Sequence, residues 1–279
     1  MSMSVPFGEI TGIIGASGSG KTTILNLLIG FYKQTSGKIM FQSREILKDI
    51  KNVNTIFGFA TQGGSFYGEL NVEENLKYFG KLYSLKSKAI NDRITELLRL
   101  LELEEARKFL GKNLSAGMQR RLDIACALIH SPKVLILDEP TEDLDPLLRK
   151  EIIKTLKKIR DTGTTIILTS HLLGEIETLC ENIGILNCGR IVKFDSPSNL
   201  KKLYGKNSLD DVFESVIKET NKYVTKTLVS SALETAENMS SKQKPEIRKT
   251  EKSPPNEIQK KNLPSKSNKY EKPFWWRKK

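Results

Sequence analysis

Eight consecutive residues near the start of the chain have the types and spacing of a phosphate-binding loop. They are Gly15, Ala16, Ser17, Gly18, Ser19, Gly20, Lys21 and Thr22, which fit the pattern G-x-x-x-x-G-K-S/T in full. Such glycines let backbone N–H groups point inward around phosphates, and the following helix adds positive potential. Lys21 would reach the β and γ phosphates, and Thr22 would offer a hydroxyl to Mg²⁺. We predict a nucleoside triphosphate site over these residues and Thr23, although the loop alone does not separate kinases, GTPases and ATPases.

A pair of carboxylates follows a strongly apolar segment, Val134 to Leu137. At the end of a buried strand, Asp138 would hold Mg²⁺ and its waters, and Glu139 would lie beside the γ-phosphate. Glu139 would then polarise the attacking water. The alternative is that acidic residues here cap the next helix, which suits Glu142 and Asp143 better than the pair. The loop and the pair together predict hydrolysis of a triphosphate.

The elements that must position these residues alternate between strands and helices. Gly8 to Gly15 is predicted to be a strand and glycine-rich turn, and Thr22 to Tyr32 the helix that follows. Two more apolar strands, Val134 to Leu137 and Thr164 to Ser170, are separated by a helix from about Leu147 to Arg160. Strands that are apolar on both faces and alternate with helices indicate a mostly parallel sheet covered on two sides. We predict an α/β fold of the P-loop NTPase type, with a mostly parallel sheet flanked by helices.

A helical segment separates the two halves of the predicted sheet. Ile94, Leu97 and Leu101 follow helical spacing, with polar residues on the other face. We predict a helical subdomain at about residues 71–130, inserted in a nucleotide-binding domain that spans residues 1–220.

The last part of the chain differs from the rest in composition. Polar and charged residues dominate residues 221–279, which predicts a disordered tail. Residues 222–279 carry 15 Lys and Arg against 6 Asp and Glu, so they account for +9 of the net charge of +12. Few aromatic residues lie among these cations except at the end, which argues against a nucleic-acid-binding ATPase. Trp275 and Trp276 beside Lys and Arg suit a membrane surface, and a plain solvated tail is the alternative.

The apolar runs and the cysteines indicate the cellular compartment of the chain. No run approaches the roughly 18 consecutive apolar residues that cross a bilayer, and the first ten residues do not resemble a secretory signal. We therefore expect a cytosolic chain. Cys126, Cys180 and Cys188 have neither paired nor metal-ligand spacing, so reduced, packed thiols are expected.

A short motif shortly before the carboxylate strand makes the chain similar to a known family. Leu114 to Gln119 reads LSAGMQ, and it stands where the ATP-binding cassette (ABC) family has its signature motif, LSGGQ. The resemblance covers about residues 8–220. The sequence departs from the usual form at Ala116 and Met118.

Ser115 and Gly117 keep the residue types with which the family binds phosphate. The resemblance implies that ATP, with Mg²⁺, lies between two subunits, with the phosphate loop of one facing Ser115 and Gly117 of the other. A hydroxyl, backbone N–H groups and a helix N-terminus can contact a γ-phosphate in this way. A plain helix N-cap is the alternative for Ser115.

The resemblance also assigns roles to residues in three further segments. Gln62 corresponds to the glutamine that senses Mg²⁺ and water, and a surface-loop glutamine is the alternative. His171 follows a predicted strand and corresponds to the switch histidine, although a histidine at a strand end is usually incidental. Asp145 would help to link the two sites of a dimer, or simply cap the helix at Pro146. The implied catalytic residues are Glu139, His171 and Gln62, and the implied metal ligands are Thr22, Gln62 and Asp138.

One residue that the resemblance leads us to expect is missing. The family has an aromatic residue that stacks on adenine about two dozen positions before the phosphate loop, whereas 14 residues precede Gly15. Phe7 is too close to the loop to serve in the same way. Either the start of the chain has been lost or misassigned, or adenine is held more weakly. We expect modest ATP affinity with poor discrimination between bases.

The stretch Ser208 to Phe213 resembles the end of ATP-binding subunits in exporters of the ABC-2 type. The expected function is therefore that of an ATP-hydrolysing subunit that drives a separate transmembrane permease, as a homodimer or heterodimer, at the cytosolic face of the cell membrane. The alternative is a soluble ABC ATPase that acts as an assembly or regulatory factor without a permease.

Overall fold

A computed structural model describes residues 2–46 and 50–222, without the side chains of residues 50–52. The strands are β1 (Ile10–Ile14), β2 (Met40–Phe41), β3 (Arg44–Glu45), β4 (Phe57–Ala60), β5 (Val134–Asp138), β6 (Thr165–Ser170), β7 (Asn182–Asn187) and β8 (Arg190–Asp195). The helices are α1 (Lys21–Leu28), α2 (Ile50–Ile56), α3 (Val72–Leu82), α4 (Ser87–Leu100), α5 (Ala116–Leu128), α6 (Pro146–Asp161), α7 (Leu173–Leu179), α8 (Pro197–Tyr204) and α9 (209–222).

Six strands form one sheet in the order β4-β5-β6-β1-β7-β8, in which only the β7–β8 pair is antiparallel. Both faces of the sheet are covered by helices. Ile10 and Ile14 of β1 belong to one buried apolar cluster, and Ile13 between them belongs to the other. This alternation explains why the central strands are apolar throughout. The predicted α/β fold with a mostly parallel, helix-flanked sheet is confirmed.

Local signals set the ends of the helices next to the site. Asn71 and Glu74 form a capping box at the start of α3, and Asp145 caps α6 directly before Pro146. Helix α1 ends at Leu28, four residues before the predicted end at Tyr32. The prediction was wrong there because Gly30 has φ of 73° and closes the helix, with the N–H of Phe31 bonded to the carbonyl of Asn26.

Three helices, α3 to α5, lie between β4 and β5 in the chain, where the inserted helical segment is predicted. Residues Met1–Asn221 form one compact unit. The limits at residues 71, 130 and 220 stay predictions. The proposed tail, 221–279, lies outside the described residues except for its first two.

The exporter-like stretch begins helix α9. Ser208 accepts a hydrogen bond from the N–H of Asp211, and Leu209 and Val212 are fully buried in the larger core cluster. Local packing thus accounts for its pattern. Among residues 2–46 and 50–222, no helix is long and apolar enough to cross a bilayer.

Candidate functional site

The carboxyl ends of four parallel strands meet along one edge of the sheet. Ile14, the last residue of β1, pairs with Ser170 of β6, and Asp138 of β5 pairs with Thr169 of the same strand. Strand β4 ends beside β5. Because the segments that follow these strands leave the sheet at the same edge, four distant parts of the sequence converge in one crevice, as expected for a ligand site in an α/β sheet. They are residues 15–22, 61–62, 138–139 and 171.

The phosphate loop is a tight turn that leads into an uncapped helix. Gly18 and Gly20 have φ of 76° and 106°, a region that glycine adopts without strain. A Cβ on Gly15 would lie 2.5 Å from Oγ of Ser19 and 2.6 Å from the carbonyl oxygen of Leu186, so only glycine fits there. No side chain caps α1. The N–H groups of its first turn are therefore available to an anion.

Lys21 extends over this turn toward the carboxylate strand. Its Nζ donates to the carbonyl oxygen of Gly15 at 2.9 Å and lies 3.4 Å from Oε1 of Glu139. The two side chains are 11% and 10% exposed, so the ion pair is largely shielded from solvent. The loop lysine and the predicted water-activating carboxylate are thus adjacent.

Asp138 is held between two threonines. Thr22 donates its hydroxyl to Oδ2 at 2.9 Å, and Thr169 donates to Oδ1 at 2.6 Å. The Thr169 hydroxyl also accepts from the N–H of Glu139 at 3.0 Å, so one buried side chain fixes both acidic residues. The pair predicted to hold Mg²⁺ is therefore pre-oriented at the start of α1.

Glu139 lies at the centre of a second polar group. It is buried with φ of 48°, an unusual conformation for a residue with a side chain, and such backbone is found at functional sites. Its Oε2 accepts from the N–H of His171 at 3.2 Å and lies 3.0 Å from Nδ1 of that ring. Ligand atoms of Glu139, Glu142 and His171 all lie within 4.8 Å of one another. Gln62 joins the group by donating from Nε2 to Glu142 at 2.8 Å.

The interpretation of Glu142 and Asp143 as helix caps is wrong, because the cap of α6 is Asp145. The side chain of Asp145 accepts from the N–H groups of Leu147 and Leu148 at 2.9 and 3.1 Å. Asp145 therefore has the capping role that was its alternative reading, and its role across a dimer stays a prediction.

Ser115 is exposed at the start of α5, and Gly117, two residues later, is buried. The hydroxyl of Ser115 accepts from the N–H of Met118 at 3.3 Å, so Ser115 caps the helix, as its alternative reading has it. Gly117 is packed so closely that a Cβ would lie 2.8 Å from a methyl group of Leu148. Contact of either residue with a phosphate in a second subunit stays a prediction.

The residues of this edge fit a nucleoside triphosphate and a hard cation. The Ser19 hydroxyl is buried without a hydrogen-bond partner in the described part of the chain, next to the uncapped N–H groups of α1. Thr22 and Asp138 provide the oxygen ligands that Mg²⁺ prefers.

A comparison with protein families decides the family of the chain. The family described as ABC transporter matches residues 1–142, which contain the phosphate loop, the LSAGMQ segment and both acidic residues. The chain belongs to the ABC transporter family. The resemblance stated from the sequence is thereby confirmed, and this ABC subunit binds and hydrolyses ATP.

Individual relatives agree with this assignment. The linearmycin resistance ATP-binding protein LnrL of Bacillus subtilis is 34% identical over 219 residues, which cover 78% of this chain and 70% of LnrL. ABC transporter A family member 3 of Arabidopsis thaliana is 39% identical over 208 residues, but the match spans 74% of this chain and only 22% of that protein. The ABC subunit thus corresponds to a small part of the plant proteins.

Solved structures show the same fold. A structure described as the ATP-binding subunit of an ABC transporter has a TM-score of 0.68 and 27% identity, covering 77% of this chain and 90% of its own. The dimeric cassette MJ0796 in a post-hydrolysis state with ADP and Pi has a TM-score of 0.61 and 26% identity, covering 70% and 88%. The P-loop NTPase fold expected from the sequence is therefore confirmed.

Two residues near the site belong to none of the sequence motifs described above. Thr169 lies in an apolar strand, where its position beside the strand end is the only signal. Asp123 lies between Leu122 and Ile124 in α5 and is 1% exposed. Burial raises the pKa of Asp123 to about 6, although hydrogen bonding from Ser65 and the charge of Arg120 act against the shift. A buried acidic residue in an apolar helix face is a signal that sequence reading can detect.

Phe7 and His130 lie away from the crevice. Phe7 precedes β1, at the end of the strand opposite the phosphate loop, and packs against Phe41 with ring centroids 5.4 Å apart. His130 follows α5, stacks on Tyr83 and bonds through Nε2 to the carbonyl oxygen of Phe57. Burial lowers the pKa of His130 to about 4, so it is neutral at physiological pH.

We expect Thr169→Val to destabilise this ABC subunit by about 2 to 3 kcal/mol, because a buried carboxylate oxygen and the N–H of Glu139 would each lose a partner. Urea unfolding of both proteins measures the change. Thr169→Ser keeps the hydroxyl and is the matched control, expected to lose less than about 1 kcal/mol. Equal stability of the valine and serine variants would show that the hydroxyl does not bridge the pair.

Proposed function

We propose that the chain is the ATP-hydrolysing subunit of an ABC-2 type exporter, and that it drives a separate transmembrane permease through ATP-dependent, head-to-tail dimerisation. The observation that carries the proposal is the cluster of Lys21, Thr22, Asp138, Glu139 and His171 at one sheet edge. Ser115 is exposed at the start of its own helix and available to a second subunit.

Each residue of the cluster has a definite task in the proposed reaction. Backbone N–H groups of the loop and Nζ of Lys21 would bind the phosphates. The carboxylate of Glu139 would accept a hydrogen bond from the attacking water and so activate it. His171 would orient that carboxylate through Nδ1. Mg²⁺, held by Thr22, Asp138 and Gln62, would neutralise charge on the phosphates.

Dimer opening would provide the mechanical step. The γ-phosphate links the loop of one subunit to Ser115 and Gly117 of the other only while ATP is intact. Cleavage removes contacts that the closed state alone makes, so the equilibrium shifts toward the open state. The dimeric state of MJ0796 supports this arrangement, and the names of LnrL and of the multidrug protein YbhF of Escherichia coli, 32% identical over 201 residues, support an exporter.

The permease is tested by coexpressing the chain with a membrane protein of about six apolar spans encoded beside its gene. We expect copurification and ATP hydrolysis stimulated severalfold in liposomes, with the chain recovered at the cytosolic face of cell membranes. A chain that hydrolyses ATP at full rate alone and binds no such protein would favour the soluble assembly or regulatory factor.

The basic tail is proposed to contact the membrane surface or the permease, on the composition of residues 265–279 alone. Sedimentation with anionic liposomes, with and without these residues, tests it. Equal binding of the two chains would end this part of the proposal.

A further inference from the structure

Helix α5 holds the segment that carries Gln62 at two points. The guanidinium of Arg120 donates from Nη1 to the carbonyl oxygen of Thr61 at 3.0 Å and from Nη2 to that of Gln62 at 3.1 Å. The carboxylate of Asp123 accepts from the N–H of Ser65 at 2.6 Å. We call residues 61–65 the Gln62 turn. Both of its ends are therefore bonded to side chains of one helix.

The turn itself is compact, so two attachments are enough to fix it. The N–H of Gly64 donates to the carbonyl oxygen of Thr61 at 3.3 Å, and Gly64 has φ of 75°. With the turn held in this way, the side chain of Gln62 reaches Glu142 and, through it, the group around Glu139.

Ser115 caps the N-terminus of the same helix. Arg120 and Asp123 are one turn apart on one face of α5, and they lie about 8 to 12 Å along its axis from the cap. The side chain of Arg120 is 12% exposed and that of Asp123 is 1% exposed. The bonds to Thr61 and Ser65 are partly buried, whereas the bond from Nη2 of Arg120 is exposed. A charge-assisted hydrogen bond is stronger than a neutral one, and the bonds to Thr61 and Ser65 are partly buried.

Burying the ionised carboxylate of Asp123 lowers the stability of the folded state. Oδ2 of Asp123 has no hydrogen-bond partner within the described residues, and its nearest cation, Nη1 of Arg120, is 3.7 Å away. The other titratable group beside it is the buried thiol of Cys126. A side chain that weakens the folded state while fixing a site loop is expected where function, rather than stability, requires it.

We propose that Arg120 and Asp123 are positioning residues that fasten the Gln62 turn to α5, so that Gln62 of one site moves together with the Ser115 end that contacts the other site. The inference rests on the proposed dimer. Contact of Ser115 with the partner's nucleotide would then fix α5, and α5 would bring Gln62 into place in its own site. A helix shared by two contacts is the physical element that such coupling requires.

Arg120→Met and Asp123→Ala, made in the full chain, test the proposal with MgATP. We expect kcat to fall on the order of 10- to 100-fold with KM within about threefold, because the phosphate loop is untouched while a catalytic side chain is misplaced. Arg121→Met is the matched control, since Arg121 is on the same helix, is 13% exposed and pairs with Glu102 and Glu151. It is expected to keep kcat within about threefold.

Asp123→Asn separates positioning from simple stability. Its amide oxygen still accepts from Ser65, so kcat should stay within about threefold of wild type. The folded pKa of Asp123 is raised, so its stabilising contribution is present below about pH 4 and lost as the pH rises through about 6. Asp123→Asn should therefore unfold at a higher temperature than wild type at pH 7.5, with the difference shrinking between pH 6 and 4.

Amide exchange provides a readout that does not depend on activity. The Ser65 N–H should exchange slowly in wild type and in Asp123→Asn, and at least about tenfold faster in Asp123→Ala. If the alanine and methionine variants do not fold, Asp123→Ser and Arg120→Lys replace them. Wild-type kcat and slow Ser65 exchange in folded variants would overturn the inference. Failure of the proposed dimer is distinguishable, because wild type and Glu139→Gln would then remain single chains with MgATP, whatever the kcat of the Arg120 and Asp123 variants.

Discussion

Glu139→Gln should lower ATP hydrolysis by about 10²- to 10⁴-fold, the usual contribution of a general base, while ATP still binds. The amide keeps nearly the same shape at a side chain that is 10% exposed, and it can still accept from the N–H of His171. The amide, unlike the carboxylate, cannot take a proton from water at neutral pH. The variant should therefore hold uncleaved ATP.

Size-exclusion chromatography with MgATP measures the consequence of trapped nucleotide. We expect Glu139→Gln to elute as a species of twice the 31.5 kDa chain, whereas wild type returns to the smaller species as ATP is consumed. Glu104→Gln is the matched control, because its side chain is 58% exposed and pairs only loosely with Arg99, at 3.8 Å. Undiminished hydrolysis by Glu139→Gln would show that another group activates the water.

Ser115→Asp should abolish ATP-dependent dimerisation and reduce hydrolysis by about 100-fold or more. Aspartate is as good a helix N-cap as serine, so α5 should remain capped and the unfolding temperature nearly unchanged. A carboxylate about 4 Å from a phosphate oxygen costs about 4 kcal/mol at an effective dielectric constant of 20. If Ser115 were only a cap, the variant would keep full activity, so the two readings of this residue give opposite results.

Mixing the Ser115→Asp chain with a Lys21→Ala chain shows whether one site is built from two subunits. Lys21→Ala removes the amine that lies over the loop and should be inactive alone. In an equal mixture, half of the dimers contain one chain of each kind, and each of these has one intact site. Activity should return to about a quarter of the wild-type value. A mixture as inactive as its parts would contradict the shared site.

Much of this fold could be read directly from the residues. The phosphate loop and the acidic pair work through groups that are adjacent in the chain, so their spacing alone specifies the chemistry. The apolar strands indicate a sheet buried on two faces because each residue of Ile10–Ile14 is buried, whichever side it points to. The predicted end of α1 at Tyr32 was wrong because Gly30 adopts a positive φ and ends the helix at Leu28.

The sequence by itself therefore determined the family, the α/β fold and the hydrolysis of ATP, and the roles of individual site residues stay predictions. Only the tertiary structure decided that Thr169 bridges Asp138 and Glu139, that Glu142 joins His171, and that α5 holds the Gln62 turn. Each of these last contacts joins residues about 30 to 60 positions apart, and their meeting depends on strand register and helix packing. Local spacing carries no record of such long-range contacts, so no motif could predict them.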